Sequence, residues 1–275
     1  GPHHRLAWLE AIIDAGKHAL VQKPLTLDEA DLNALPAMLE RAVDRGLRIA
    51  VNHNARWAPP WRMATLLLRQ GAIGEVIGIT HLHDKPLPPL VGTLFDAIPH
   101  MLLTDYLLHW IDITRTWLAQ GDRGGPIRYV QATDSRVPGQ PHESKNPWSA
   151  TMHLTTTTGA TAALRIPGNA VTARPECPFW IHGTTGTLRG SVLMESDRLH
   201  LDDGLAVTEL PIQGAWFVDG FAGAMAELMS AIEEQRDPEH SAIDAAESAR
   251  VMLAARTSAE RGGAPVDMTP VDMTL

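Results

Sequence analysis

Residues 15–26 read AGKHALVQKPLT. An apolar run, HALVQ, follows Gly16 and stops at Lys23–Pro24, which is the profile of a short buried strand leaving the core at a polar rim. Upstream, Leu6, Leu9, Ile12 and Ile13 recur at helical spacing, and Gly16 is a natural C-cap for that helix. Downstream, Thr26 and Glu29 form a T-x-x-E capping-box pattern that opens a helix to about Arg45. LRIAVNH is the next strand. Helix, strand, helix, strand with short links is the rhythm of a parallel α/β sheet. Two parallel strands make a poor sheet, and the first helix has no strand feeding it. The chain also opens on GPHHRLAW without an initiator methionine. The expectation is therefore a parallel α/β unit cut off at its N-terminal side.

At 275 residues the chain can bury a large core, as one domain or two. A net charge of -9 without a Lys/Arg cluster argues against nucleic acid as a partner. No apolar stretch is long enough to span a bilayer, and no signal-peptide pattern opens the chain, so the expectation is no membrane partner and a cytoplasmic location. Cys177 is the only cysteine, which excludes an intrachain disulfide and a thiolate metal cluster.

The next third reads as a helix from about Trp61 to Gln70, a turn at GAIGEV, a strand ending near Asp84, a Pro-rich loop over 85–99 and a long helix from about Met101 to Leu118. From 127 to 210 the texture changes to short alternating runs separated by Gly, Pro, Asn and Asp, some of them rich in Thr, which predicts an antiparallel sheet. Two helices, at about 218–235 and 241–260, close the chain, and DMTPVDMTL ends it as a strand or tail. The fold class expected is thus α/β (α+β): a partial parallel α/β segment, then a mainly antiparallel β-sheet flanked by helices.

LLTDYLLHWIDITRTWL holds the densest chemistry. Asp105 and His109 are four apart and share one face of a helix, and Asp112 returns to the same side. A carboxylate beside an imidazole holds its tautomer and raises its basicity, as a general acid/base requires. The same pattern fits a histidine on an amphipathic helix satisfied by a neighbouring aspartate, and both readings stand at this point. Lys23 leaves the C-terminal end of a parallel strand, where open α/β sheets bind ligands, and Pro24 fixes the backbone beside it. VNHNARWAPPW delivers Asn52, His53, Asn54 and Arg56 to the same rim. Trp57 and Trp61 read either as a sugar platform or as hinge packing. His3, His4, His53, His81, His83 and His100 carry no ligand signature such as HExxH, so no catalytic metal is expected.

Taken in order, these stretches resemble the Gfo/Idh/MocA family of NAD(P)-dependent oxidoreductases. PHHRLAWLEAIIDAGKHALVQKPLT is similar to its helix, turn and strand-end lysine. VNHNARWAPPW with LLRQGAIGEV is similar to its hinge, DYLLHWID to its D-x-x-x-H-x-x-D helix, and IHGTTGTLRG to its GTxGT hairpin. FVDGFAGAMAELMSAIEEQRDPEHSAIDAAESARVM resembles its closing helical pair. The resemblance implies that 1–54 are the C-terminal remnant of a Rossmann-type dinucleotide-binding domain, whose other half would lie upstream of residue 1, and that 55–275 form a larger substrate-binding and oligomerisation domain with an open, mainly antiparallel sheet. It also implies hydride transfer between a nicotinamide cofactor, NAD or NADP, and a hydroxyl or keto group of a sugar or polyol. It places Lys23 near nicotinamide and substrate, and gives His109 the acid/base role with Asp105 beside it. Gln22, Lys23, Pro24, Asn52 and Arg56 are the cofactor-side residues so implied, and Lys23, Asp105, His109 and Trp57 the substrate-side ones. A homodimer or homotetramer built through the antiparallel sheet is also implied.

Two departures stand out. Gln22 replaces the family's usual Glu. No G-x-G-x-x-G opens a βαβ unit, since GAIGEV has the wrong spacing and context, and the pyrophosphate loop is expected upstream. The alternative expectation is a cofactor-free sugar-binding or interaction protein on the same fold.

Overall fold

The computed structural model describes residues 5–121 and 124–269. His3, His4 and most of the DMTPVDMTL reading lie outside the described residues. Helix α1 (Arg5–Asp14) leads into strand β1 (Ala19–Gln22). Helix α2 (Glu29–Asp44) then crosses to β2 (Ile49–Asn52). The two strands are parallel, with Ala19 opposite Ile49 and Gln22 opposite Asn52. Gly16, at φ +69°, ends α1 as expected, its N–H bonding to the Ile13 carbonyl at 2.9 Å.

The start of α2 differs from the capping-box reading. Asp28, not Thr26, is the N-cap: its backbone is extended, and its carboxylate accepts from the N–H groups of Ala30 and Asp31. Thr26 is buried one turn earlier, where its hydroxyl accepts from Asp28 N–H at 3.0 Å.

The outer edge of β2 is covered by a segment from the far end of the chain. Val51 N–H bonds to the His240 carbonyl at 2.9 Å, and Ala50 bridges Ser241. A 3-10 turn at Asn54–Trp57 and helix α3 (Pro59–Arg69) then carry the chain to β3 (Val76–Leu82). Prolines at the first helical positions suit a turn whose N–H groups have no intrahelical partner.

Strands β4 (Ile127–Ser135), β5 (Ser149–Thr156), β6 (Thr161–Ile166), β7 (Cys177–Gly183), β8 (Thr187–Val192), β9 (Arg198–Asp202), β10 (Val207–Leu210) and β11 (Val266–Asp267) follow. With β3 they build one nine-stranded sheet in the order β10-β9-β8-β7-β3-β6-β5-β4-β11. All pairs are antiparallel except β3 with β6. The strand expected to end near Asp84 thus sits at the sheet's centre.

One face of this sheet is covered by α3, by α4 (Leu108–Leu118) and by α6 (Ala242–Glu260), while α5 (Phe221–Glu233) packs beside the 3-10 turn and β2. Period-two alternation turns Ile79, Leu154, Leu164 and Ile181 inward, where they are buried. The other face carries a row of aligned residues, Gln131, His153, Ala163, Thr80, Trp180 and Arg189, none of them buried.

The single helix expected from Met101 to Leu118 is in fact two pieces. A π-helical turn, Leu102–Tyr106, precedes α4. A π turn holds more residues than an α turn, so the angular offset between Asp105 and His109 is not that of a regular i,i+4 pair.

Trp61 is fully buried, edge-on to Trp110 and Trp117 at 5.6 and 6.1 Å. It is core packing rather than a sugar platform, and the indole N–H of the neighbouring Trp117 is satisfied by Thr65 at 2.9 Å.

Candidate active site

Lys23 stands at the C-terminal end of β1, with Pro24 buried behind it and the peptide between them cis. Its Nζ donates to the Asp105 carbonyl at 2.9 Å and lies 3.2 Å from the Asp105 carboxylate. Both groups of Asp105 that meet Lys23 lie in the π-helical turn Leu102–Tyr106. Burial lowers the Lys23 pKa. Asp105 pulls it back up, and Arg5 pushes it down.

His109 is half-buried, with its Nδ1 enclosed and without a hydrogen-bond partner. Its ring meets that of Trp216 edge-on at 5.3 Å, and the Trp216 indole N–H is fixed by Asn54 at 3.0 Å. The His109 pKa lies well below the ordinary imidazole value. Burial is the main cause, followed by the charges of Lys23 and His53, with Asp112 opposing them.

The expected Asp105–His109 pair is therefore corrected: the Asp105 carboxylate meets Lys23, and the imidazole is held neutral instead of being made more basic. The reason is the π turn, which directs Asp105 toward the β1 rim.

Arg56 is also corrected. Its guanidinium donates to both Asp112 oxygens at 2.7 Å and to the Glu239 carbonyl at 2.5 Å, and pairs with Asp244. Ser248 adds a hydrogen bond to Asp112 at 2.7 Å. Burial by itself would raise the Asp112 pKa; Arg56, His53 and Arg115 outweigh it and hold the carboxyl far below its usual range. Arg56 is thus a buried tie between the 3-10 turn, α4 and α6, not a group free to take a cofactor.

Trp57 is half-buried against His240, ring to ring at 4.8 Å, with Arg62 over its face at 5.6 Å. Gly223 packs so close to the Trp57 ring that an added Cβ would lie 2.5 Å from it. Its described contacts are hinge packing, and none of them is to Lys23, Asp105 or His109.

The cofactor-side rim divides. Gln22 is exposed and its side-chain oxygen accepts from Lys23 N–H at 2.9 Å. Asn52, beside it on β2, is buried with its Oδ1 unpartnered. An orphaned buried acceptor at a strand end is a place for a hydroxyl or amide donor to bind, and it fits a ribose or carboxamide group.

Sequence reading missed Arg5, which lies within electrostatic reach of Asp105 and Lys23, and Trp216, which packs on His109. Neither carried a signal: Arg5 opens a helix with no motif around it, and Trp216 begins a π-helical turn, Trp216–Gly220, that has no periodicity to detect.

Among the described residues no group of three or more His, Cys, Asp or Glu is placed to hold a metal ion. Among the same residues no helix is long and apolar enough to cross a membrane.

Residues 61–189 match the family model described as the GFO/IDH/MocA C-terminal domain. D-apiose dehydrogenase from Paraburkholderia graminis is 28% identical over 224 residues, covering 78% of this chain and 55% of that protein. The NADP(+)-dependent scyllo-inositol 2-dehydrogenase of Bacillus subtilis is 25% identical over 139 residues, 45% of this chain and 37% of that one. The chain thus spans about half or less of these curated relatives. An oxidoreductase from Agrobacterium radiobacter, solved with NAD+, L-tartaric acid and magnesium, shares the fold. Its TM-score is 0.80 at 22% identity, covering 97% of this chain and 78% of that chain.

Proposed function

Because this chain belongs to the Gfo/Idh/MocA family, we propose that it serves an NAD(P)-dependent oxidoreductase reaction on a hydroxyl or keto group of a sugar, polyol or related small molecule. The observation that supports this reading most directly is the meeting of Lys23, from the β1 rim, with Asp105 one turn before His109. Nicotinamide, when bound, supplies the hydride acceptor or donor. Asn52, with its orphaned oxygen, and Lys23 are the residues that would hold it at this rim.

His109 is neutral at physiological pH, so its free imidazole nitrogen accepts the proton of a substrate hydroxyl during oxidation and returns it during reduction. Lys23, kept in place by Asp105, donates a hydrogen bond to the same oxygen and stabilises negative charge developing there. Trp216 walls one side of the imidazole and limits its rotation. The open sheet face, with Thr80, Trp180 and Ala163 in one row, is the surface through which we expect a homodimer or homotetramer to form.

The test is His109→Ala, assayed with nicotinamide cofactor against a panel of sugars and polyols. kcat should fall by on the order of 10²–10⁴-fold with melting temperature nearly unchanged. Near-wild-type turnover would overturn the assignment. Sugar binding with no turnover under any cofactor would favour a cofactor-free binding protein.

A further inference from the structure

The π-helical turn Leu102–Tyr106 is closed by the Leu107 N–H, which bonds to the Leu102 carbonyl at 2.8 Å, one residue further back than an α-helical bond reaches. Relaxing it to α-helix would turn the residues on its two sides by up to about 100° relative to one another, the rotation of one helical residue. Asp105 could not then keep both its carbonyl and its carboxylate on Lys23. Among the described residues, two polar side-chain contacts tie this turn to distant elements. One comes from Lys23; the other is a hydrogen bond of 2.7 Å between the Tyr106 hydroxyl and His83 Nε2. The Thr104 hydroxyl donates to the carbonyls of Pro99 and His100, just before it in the chain. His83 is a rigid post. It follows β3, is buried, and its N–H bonds to the Arg165 carbonyl at 2.9 Å, while the next residue, Asp84, bridges Glu176. Tyr106 stacks on Trp110 at 5.8 Å, with the rings 11° from parallel. Burial keeps both partners uncharged, lowering the His83 pKa to about 3 and raising that of Tyr106.

We propose that the His83–Tyr106 hydrogen bond anchors the π-helical turn, and that Tyr106 and His83 are positioning residues which aim Asp105 at Lys23. Both act through Asp105, the residue next to Tyr106 in the chain. The central strand of the nine-stranded sheet thereby fixes, through one bond, a contact at the rim of the two-stranded sheet. This rests on the dehydrogenase reading for the reaction that an aimed Lys23 serves, and not for the anchoring itself.

The experiment follows the Lys23 pKa in the wild-type chain and its variants, from the pH dependence of acetylation by acetic anhydride, read by peptide mass spectrometry. The chain has four lysines, and the exposed Lys17 and Lys145 serve as references. Tyr106→Phe and His83→Leu should each lower the Lys23 pKa by about 1 or more, the effect of taking a carboxylate away from it, and Asp105→Asn should match them. Tyr106→Phe added to Asp105→Asn should lower it no further. His83→Gln, which retains a hydrogen-bonding side chain, should keep part of the wild-type value. A Lys23 pKa that stays in place in folded Tyr106→Phe or His83→Leu, whatever the loss in melting temperature, would overturn the proposal. Additive effects in the double variant would overturn it as well. If Tyr106→Phe does not fold, His83→Leu and His83→Gln decide. Near-wild-type turnover in His109→Ala would remove the dehydrogenase reading and leave this anchor standing. Turnover lost in His109→Ala, with Lys23 unmoved in Tyr106→Phe, would do the reverse.

Discussion

Lys23 and Asp105 are 82 residues apart in the chain, yet the lysine Nζ lies 2.9 Å from the Asp105 carbonyl and 3.2 Å from its carboxylate. This contact joins the rim of the two-stranded parallel sheet to the turn that precedes His109. It also sets the charge of the lysine, because burial favours the neutral amine and Asp105 favours the ammonium.

Asp105→Asn should therefore lower the Lys23 pKa further. Activity that needs the ammonium is present below that pKa and lost above it, so the alkaline limb of the kcat profile should move to lower pH. A limb that stays in place, or moves up, would show that Lys23 does not act as the charged donor.

The acid limb carries a separate expectation. His109 titrates well below its ordinary value, and a base works only when deprotonated. Alcohol oxidation should persist below about pH 6.5, the unperturbed imidazole pKa, and Lys23→Met should raise the pKa of that limb by removing a neighbouring positive charge. Rates measured between pH 4 and 7 in both proteins decide this.

The Arg56–Asp112 tie predicts a stability effect. Arg56→Met leaves a buried carboxylate without its main partner, which typically costs about 3–5 kcal/mol. Denaturant unfolding should show a loss of that order, and the double variant Arg56→Met with Asp112→Leu should recover part of it. A loss below about 1 kcal/mol in the single variant would contradict the assignment of Arg56 to the hinge.

Buried histidines give the fold its own pH dependence. Burial lowers His81 to about 3 and His53 and His240 to about 4, against about 6.5 in an unfolded chain. Between these values the unfolded chain binds more protons than the folded one. Stability is thus whole above about pH 6.5 and declines as pH falls toward 4. His81 stacks on Trp117 with neither ring nitrogen hydrogen-bonded. His81→Phe should flatten the slope of unfolding free energy by up to about 1.4 kcal/mol per pH unit. Parallel curves for the two proteins would refute a neutral buried His81.

Assembly through the open sheet face makes the last prediction. Replacing Trp180 by Glu places a charge at the centre of that face, where Thr80 is its cross-strand partner. Light scattering should show an oligomer for the wild type and a shift toward monomer for the variant. A monodisperse monomer in the wild type would remove the proposed interface.

The sequence by itself determined the alternation of helix and strand up to residue 54, the antiparallel texture of 127–210, the closing helix pair and the positions of Lys23 and His109. These follow from local rules: hydrophobic period, a C-capping glycine at Gly16, and prolines and glycines that end strands. Only the tertiary structure decided which carboxylate meets which cation. Spacing placed Asp105 beside His109, but a π-helical turn has no signature in hydrophobic period, and one non-α turn re-aims every side chain after it. Arg56 read as a polar group on a ligand rim. Burial among Asp112, Glu239 and Asp244, brought from two distant helical segments, turned it into a structural tie. Likewise β3 entered the centre of a sheet whose other strands lie at least 45 residues further on, from 127 to 267. Pairings between distant segments depend on which faces are left to bury once the local elements exist, and no single stretch of sequence carries that information.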